Sequence, residues 1–210
     1  MIKSELRFTL VELLIVIAII ALLASILLPA ISRVKAKGKE IQCVSNLKQC
    51  ALIFSGYIDD NRGHIFPYMT ERMWIRKDYG ELFKADHVNA ENEKVFVCPS
   101  DNSPYGLGTG MLVSSYGVSL SIARGGKTFI PQYKKASEAF IFIDTQLSGL
   151  GDEWPVRVDP SDAERAHIYA AAPRHNNSVN ILYLDMHVKN MRDPLANIPT
   201  SSSNVFWSGN

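Results

Sequence analysis

Phe8-Thr9-Leu10-Val11-Glu12-Leu13-Leu14 opens the stretch that decides the fold, and an apolar run from Leu13 to Leu28, broken only by Ser25, completes it. With Phe8 to Leu10 included, the segment is about 20 residues, or roughly 30 Å of helix, enough to cross a bilayer. It carries one carboxylate, Glu12, just inside its start. An ionisable group in a membrane segment is costly and calls for a partner. Thr9-x-x-Glu12 offers a local one, since this spacing is a capping box that satisfies the first amides of a helix. A carboxylate in the first turn also suits the helix dipole.

The residues before this stretch, Met1 to Arg7, form a short leader with Lys3 and Arg7 as its basic residues. A secretory signal peptide would end its apolar region at a small-x-small cleavage site. Here Ala24 and Ser25 are followed by Ile26-Leu27-Leu28, so the helix reads as retained. Arg33, Lys35, Lys37 and Lys39 follow the span. By the positive-inside count they place its C-terminal side in the cytoplasm. They also suit a juxtamembrane anchor beside lipid phosphates.

Beyond Pro29 the pattern stays helical but becomes amphipathic, with Ile31, Val34, Gly38, Ile41, Val44, Leu47, Ala51, Phe54 and Ile58 at steps of three and four. Pro29 removes one backbone hydrogen bond without ending the helix. The helix is expected to run from Phe8 to about Ile58, roughly 75 Å, and to stop in Asp59-Asp60-Asn61-Arg62-Gly63. Residues 8–29 are thus the membrane or filament-core segment and 30–58 its amphipathic continuation.

Residues 59–198 suffice for one domain. Val95-Phe96-Val97, Phe140-Ile141-Phe142-Ile143 and Val179 to Leu184 read as strands. His187-Val188-Lys189 should return antiparallel to the last across a tight turn at Asp185-Met186. The fold class is α+β, a long helix laid on a small antiparallel sheet, with a flexible Ser-rich tail at 199–210. Cys43 and Cys50 are about 10 Å apart along one helix, too far to bridge each other. Cys98 can reach either. The favoured pairing is a Cys43–Cys98 disulfide, with three reduced thiols as the alternative.

Phe8, Glu12, the apolar helix and Pro29 together resemble the N-terminus of type IV pilins and type II secretion pseudopilins. The resemblance implies that a prepilin peptidase cuts between Arg7 and Phe8 and methylates the new amine. It also implies that Glu12 pairs with such an amine during filament assembly, and that the globular domain lies outside the cytoplasm, against the charge count. Arg7 stands where that family usually has Gly. A second likeness covers most of the chain: His175, nine residues, then Asp185 resembles the His-x9-Asp-Gly motif of a group of bacterial prepilin-like proteins. Asn46-Leu47-Lys48-Gln49, Cys98-Pro99-Ser100-Asp101, Ser115-Tyr116-Gly117 and Arg174-His175-Asn176 are similar to that group's surrounding pattern. Met186 replaces its usual Gly. His175 and Asp185 read as hairpin-fixing residues, with a metal held by Asp185, His187 and His175 as the minor alternative.

Other chemistries fail on spacing. Gly125-Gly126-Lys127-Thr128 lacks the first Gly of a phosphate loop, since Ser121 occupies that place. Gly106-Leu107-Gly108-Thr109-Gly110 follows a Pro-containing turn instead of a strand. No Gly-x-Ser-x-Gly, His-Glu-x-x-His or Cys-x-x-Cys occurs, so no catalytic residue and no metal is assigned. A net charge of +1 gives no footprint for nucleic acid. Asp59-Asp60 and Asp152-Glu153 are candidate calcium ligands but read as solvated turns. Two functional classes follow. One is a filament subunit of the bacterial inner membrane, single-pass, whose partners are the prepilin peptidase, other pilin-like subunits, an assembly platform and lipid. The other is an exported binding or enzymatic domain that uses a prepilin-type anchor.

Overall fold

The computed structural model describes residues 9–65, 93–102, 114–119, 130, 133–145, 157–158 and 173–198. Arg7, Phe8, the tail 199–210, the glycine-containing stretches 106–110 and 125–128, and the acid pair Asp152-Glu153 lie outside the described residues. The chain divides into two compact units, Met1–Gly38 and Lys39–Asn210.

One helix, α1, runs Leu10–Asp60 and contributes to both units. Its start is the reciprocal cap that the Thr9-x-x-Glu12 spacing calls for. The Glu12 amide donates to Thr9 Oγ1 at 3.2 Å, while the Thr9 amide and hydroxyl donate to Glu12 Oε2 at 2.8 and 2.7 Å. The Ser25 hydroxyl is turned inward onto the Leu22 carbonyl at 2.7 Å, so it leaves no unsatisfied donor on the apolar surface. Pro29 sits inside the helix without ending it, and its carbonyl accepts from Arg33 Nε at 3.3 Å.

In the first unit every large aliphatic side chain from Leu10 to Leu28 is exposed. This stretch is long and apolar enough to cross a membrane, and an uncovered apolar surface of this extent marks an interaction face for lipid or for other apolar protein surface.

In the second unit the same helix has a covered face. Cys43, Asn46, Leu47, Cys50, Ala51, Phe54, Tyr57 and Ile58 are buried. The expected stripe is rotated at its start: Ile41 is exposed and Val44 half-buried, because the covered line enters through Cys43. The helix ends in a Schellman motif. The Gly63 amide donates to the Ile58 carbonyl at 2.8 Å and the Arg62 amide to Asp59 at 3.4 Å, with positive φ at Arg62 (55°) and Gly63 (86°).

The covered face packs on a sheet made of β1 (Tyr116–Ser119), β2 (Phe140–Asp144), β3 (Arg157–Val158), β4 (Ser178–Tyr183) and β5 (Val188–Arg192), in the order β3-β1-β2-β4-β5. β1, β2, β4 and β5 pair antiparallel, and the two-residue β3 adds to β1 in parallel. A register shift between Phe140 and Phe142 breaks the two-residue alternation of β2. Ile141 and Phe142 therefore both join the helix-side core, while Phe140 and Ile143 join Val179, Ile181, Tyr183 and Ile198 in a second cluster. Phe54 and Phe142 meet with ring centroids 4.6 Å apart.

Val95-Phe96-Val97 is not a strand. Glu93–Phe96 forms a single 3-10 turn, with the Val97 amide donating to Lys94 at 3.2 Å. Three apolar residues are too few to fix a period, and the Val97 carbonyl is taken by a side chain on α1. The β4–β5 connection also differs from the expected two-residue turn. Tyr183 pairs with His187, and Leu184-Asp185-Met186 form a three-residue loop with Met186 at φ 69°. That left-handed position is one Gly adopts without strain, and a three-residue hairpin loop calls for such a residue. A short helix, α2 (Pro194–Asn197), follows β5.

Candidate functional site

Four short segments converge where α1 meets the sheet. Cys43 is the first buried residue of the helix. One turn on, Asn46 Nδ2 donates to the Val97 carbonyl at 2.8 Å, which holds the chain beside α1 just before Cys98. The Cys98 amide donates to Ser115 Oγ at 2.9 Å, and the Ser115 amide donates to the Phe96 carbonyl at 2.8 Å. Asp144 is the last residue of β2, opposite Tyr116 of β1. Its Oδ2 accepts the Asn180 amide of β4 at 2.7 Å. His175 stands in the turn before β4, where Asn176 and Asn177 take positive φ of 54° and 59°.

Arg174 fixes that turn. Its guanidinium pairs with Asp101 Oδ2 at 2.9 Å and donates to the Ser115 carbonyl at 3.3 Å and to the Thr145 carbonyl. One side chain thus ties the Cys98 loop, the start of β1 and the end of β2 to the residue preceding His175.

The result is a cluster of Cys43, Cys98, Asp144 and His175 whose donor atoms all lie within 4.8 Å of one another. Cys43 Sγ is 3.3 Å from Asp144 Oδ1, Cys98 Sγ is 3.3 Å from His175 Nε2, and His175 Nε2 is 3.7 Å from Asp144 Oδ2. Tyr116 Oη caps Cys43 Sγ at 3.3 Å. No member is more than 4% exposed. The favoured partners Cys43 and Cys98 are brought together, but as free thiols and not as the expected disulfide, and Cys50 is buried separately with its thiol toward the Val95 carbonyl.

The electrostatics are unusual for a core. A hydrogen bond from Cys43 holds the Cys98 thiol down at about 4, helped by His175 and the Ser100 amide and opposed by burial. The same bond, with burial and the Asp144 charge, pushes Cys43 well above the ordinary thiol range. Burial raises Asp144 to about 6, with the Cys98 charge adding to it and the Asn180 amide opposing it. Burial pulls His175 down, but its bond to Cys98 and the Asp144 charge outweigh this and raise it. Two thiols, a carboxyl, an imidazole and the Tyr116 hydroxyl thus share one buried network in which several protonation states place donors on the contacts. Closure to solvent suits a cross-link or a bound ion better than turnover of a substrate.

The structure separates His175 from Asp185. Asp185 is in the β4–β5 loop, where its Oδ1 accepts the His187 amide at 3.2 Å and contacts the ring Nδ1, while that ring stacks on Tyr183 at 4.4 Å. His175 meets the other end of that hairpin, through hydrogen bonds of its backbone with Ser178, while its ring faces Cys98 and Asp144 and the Asp185 carboxylate pairs with His187. Asp144 escaped the sequence reading, although its position was a signal: it closes Phe140-Ile141-Phe142-Ile143-Asp144, an otherwise wholly apolar buried strand. Asn46, Cys98, Asp101, Ser115, Tyr116, Arg174 and His175, scattered in sequence, are all drawn into this one region. No family model, curated protein or solved structure matches the chain.

Proposed function

We propose that the chain is a pilin-like subunit, inserted by its N-terminal helix in the bacterial inner membrane and assembled through that helix into a filament of the type II secretion or type IV pilus kind. The observation that carries this reading is α1 itself. A capped start at Thr9–Glu12 leads into a bare apolar surface through Leu28, and the helix continues past Pro29 into a covered face under a small sheet. A membrane signal alone needs only the first part. In this reading the helices bundle as the filament core, Glu12 receives the Phe8 amine of a neighbouring subunit, and the sheet domain forms the surface. Prepilin peptidase, lipid, sister subunits and an assembly platform are the partners.

The second reading is an exported domain that keeps the helix as a permanent anchor. Two observations favour it: Arg7 precedes Phe8, and Glu12 is already satisfied by Thr9 without a neighbour. Intact-mass measurement of the mature N-terminus, in cells with and without prepilin peptidase, separates the two. A methylated Phe8 that depends on the peptidase is expected. Retention of Met1 to Arg7 would remove the processing claim and leave the anchor.

A further inference from the structure

We propose that Cys43, Cys98, Asp144 and His175 form a structural zinc site. The claim rests on the Lys39–Asn210 unit alone and is independent of the filament reading.

Size is the first argument. Tetrahedral zinc, with Zn–S near ~2.3 Å and Zn–N or Zn–O near ~2.0–2.2 Å, spaces its ligand atoms about 3.3–3.8 Å apart. With one atom from each residue the set lies within 4.8 Å; Cys98 Sγ is 3.3 Å from His175 Nε2, and Asp144 brings Oδ1 to 3.3 Å from Cys43 Sγ and Oδ2 to 3.7 Å from His175 Nε2. A small inward rotation of the side chains closes the set around one ion.

Chemistry is the second. Two thiolates with an imidazole select a borderline-soft tetrahedral ion over calcium or magnesium, which take oxygen shells. A divalent cation would also give the four convergent donor atoms one common partner. Four ionisable side chains buried together forgo their hydration, which favours a shared counter-charge.

Support from the surroundings is the third. Asp144 Oδ2 accepts the Asn180 amide, Cys43 Sγ meets the Tyr116 hydroxyl, and the Cys98 amide is held by Ser115 Oγ. These are the hydrogen bonds that orient ligands around a bound metal. Four protein ligands with no open position define a structural site.

The rival state is a Cys43–Cys98 disulfide, which consumes both thiolates, and one preparation distinguishes them. The full chain is purified in detergent through a tag that binds no metal, then measured for metal content and intact mass. About one zinc per chain is expected, with full thiol mass. Cys98→Ser and Asp144→Asn should each lower zinc occupancy at least tenfold, whereas Cys50→Ser should leave it unchanged. Should those variants fail to fold, the unmodified chain is refolded with cobalt. Tetrahedral d–d bands and a thiolate-to-cobalt charge-transfer band are then expected, and both should be displaced by zinc. A mass two hydrogens short at Cys43 and Cys98 overturns the proposal. So does a folded, reduced chain that takes up neither metal, or zinc retained in full by Cys98→Ser.

Discussion

Replacing Arg174 with Met tests whether one guanidinium holds the junction together. Arg174 and Asp101 are 10% and 8% exposed, and their 2.9 Å contact is a buried ion pair. Removing one partner of such a pair typically costs about 3–5 kcal/mol, because the other charge is left buried. Met keeps much of the volume, so packing loss adds little. The Ser115 and Thr145 carbonyls also lose a donor, which places Arg174→Met toward the upper end of that range. Asp101→Asn alone should cost less, about 2 kcal/mol, since the guanidinium keeps both carbonyls and the amide still accepts. The double variant should fall short of the sum by about 2 kcal/mol, the coupling of contacting charges. Denaturant-dependent proteolysis of the full chain in detergent measures all four states. A loss below about 1 kcal/mol for Arg174→Met, or strict additivity with Asp101→Asn, would refute the reasoning and leave the His175 turn held by its own backbone.

Met186→Gly relieves a left-handed residue, worth about 1 kcal/mol, but removes a side chain packed on the core. The net should be neutral to slightly stabilising in the same assay, and a loss above about 1 kcal/mol would show that the Met contact outweighs the strain. Phe54→Ala, at a fully buried ring against Phe142, should cost about 3–5 kcal/mol by denaturation. Glu12→Gln keeps the capping box and removes the charge, so membrane insertion should survive while incorporation into filaments falls. Wild-type incorporation would leave Glu12 as a cap and nothing more.

Local signals were legible where one residue type controls the outcome. The end of α1 was readable because Asn61-Arg62-Gly63 can do little but turn, and Phe140–Ile143 and Val179–Leu184 because their apolar runs are long. Val95–Val97 misled because β-branched residues in a short run carry no period, and its carbonyl partner, Asn46, lies far away in sequence. The cluster was half readable. Reach left Cys98 near Cys43 or Cys50, with Cys43 favoured, and the apolar run before Asp144 was a signal left unread, but nothing in the spacing of His175 distinguishes a core residue from a turn residue. That depends on the register shift in β2 and on the contacts of Arg174, both of which form only after the sheet pairs.

The cluster also decides how the second unit should respond to its surroundings. Its ligands come from α1, the Cys98 loop, the end of β2 and the turn before β4, so a bound ion closes three loops that folding must otherwise close unaided. A ligand that binds only the folded state stabilises by mass action. Once free zinc exceeds the dissociation constant, each tenfold rise should add about 1.4 kcal/mol to the unfolding free energy, levelling off only when the unfolded cysteines begin to bind. A Cys43–Cys98 disulfide predicts a different dependence: stability flat in zinc and stepping down once with reductant, by about 2–5 kcal/mol. Titrating zinc at fixed reductant, and reductant at fixed chelator, therefore assigns the link between helix and sheet from two slopes. A slope of zero in both would mean that packing by Leu47, Phe54 and Phe142 holds the helix to the sheet without help from the cysteines.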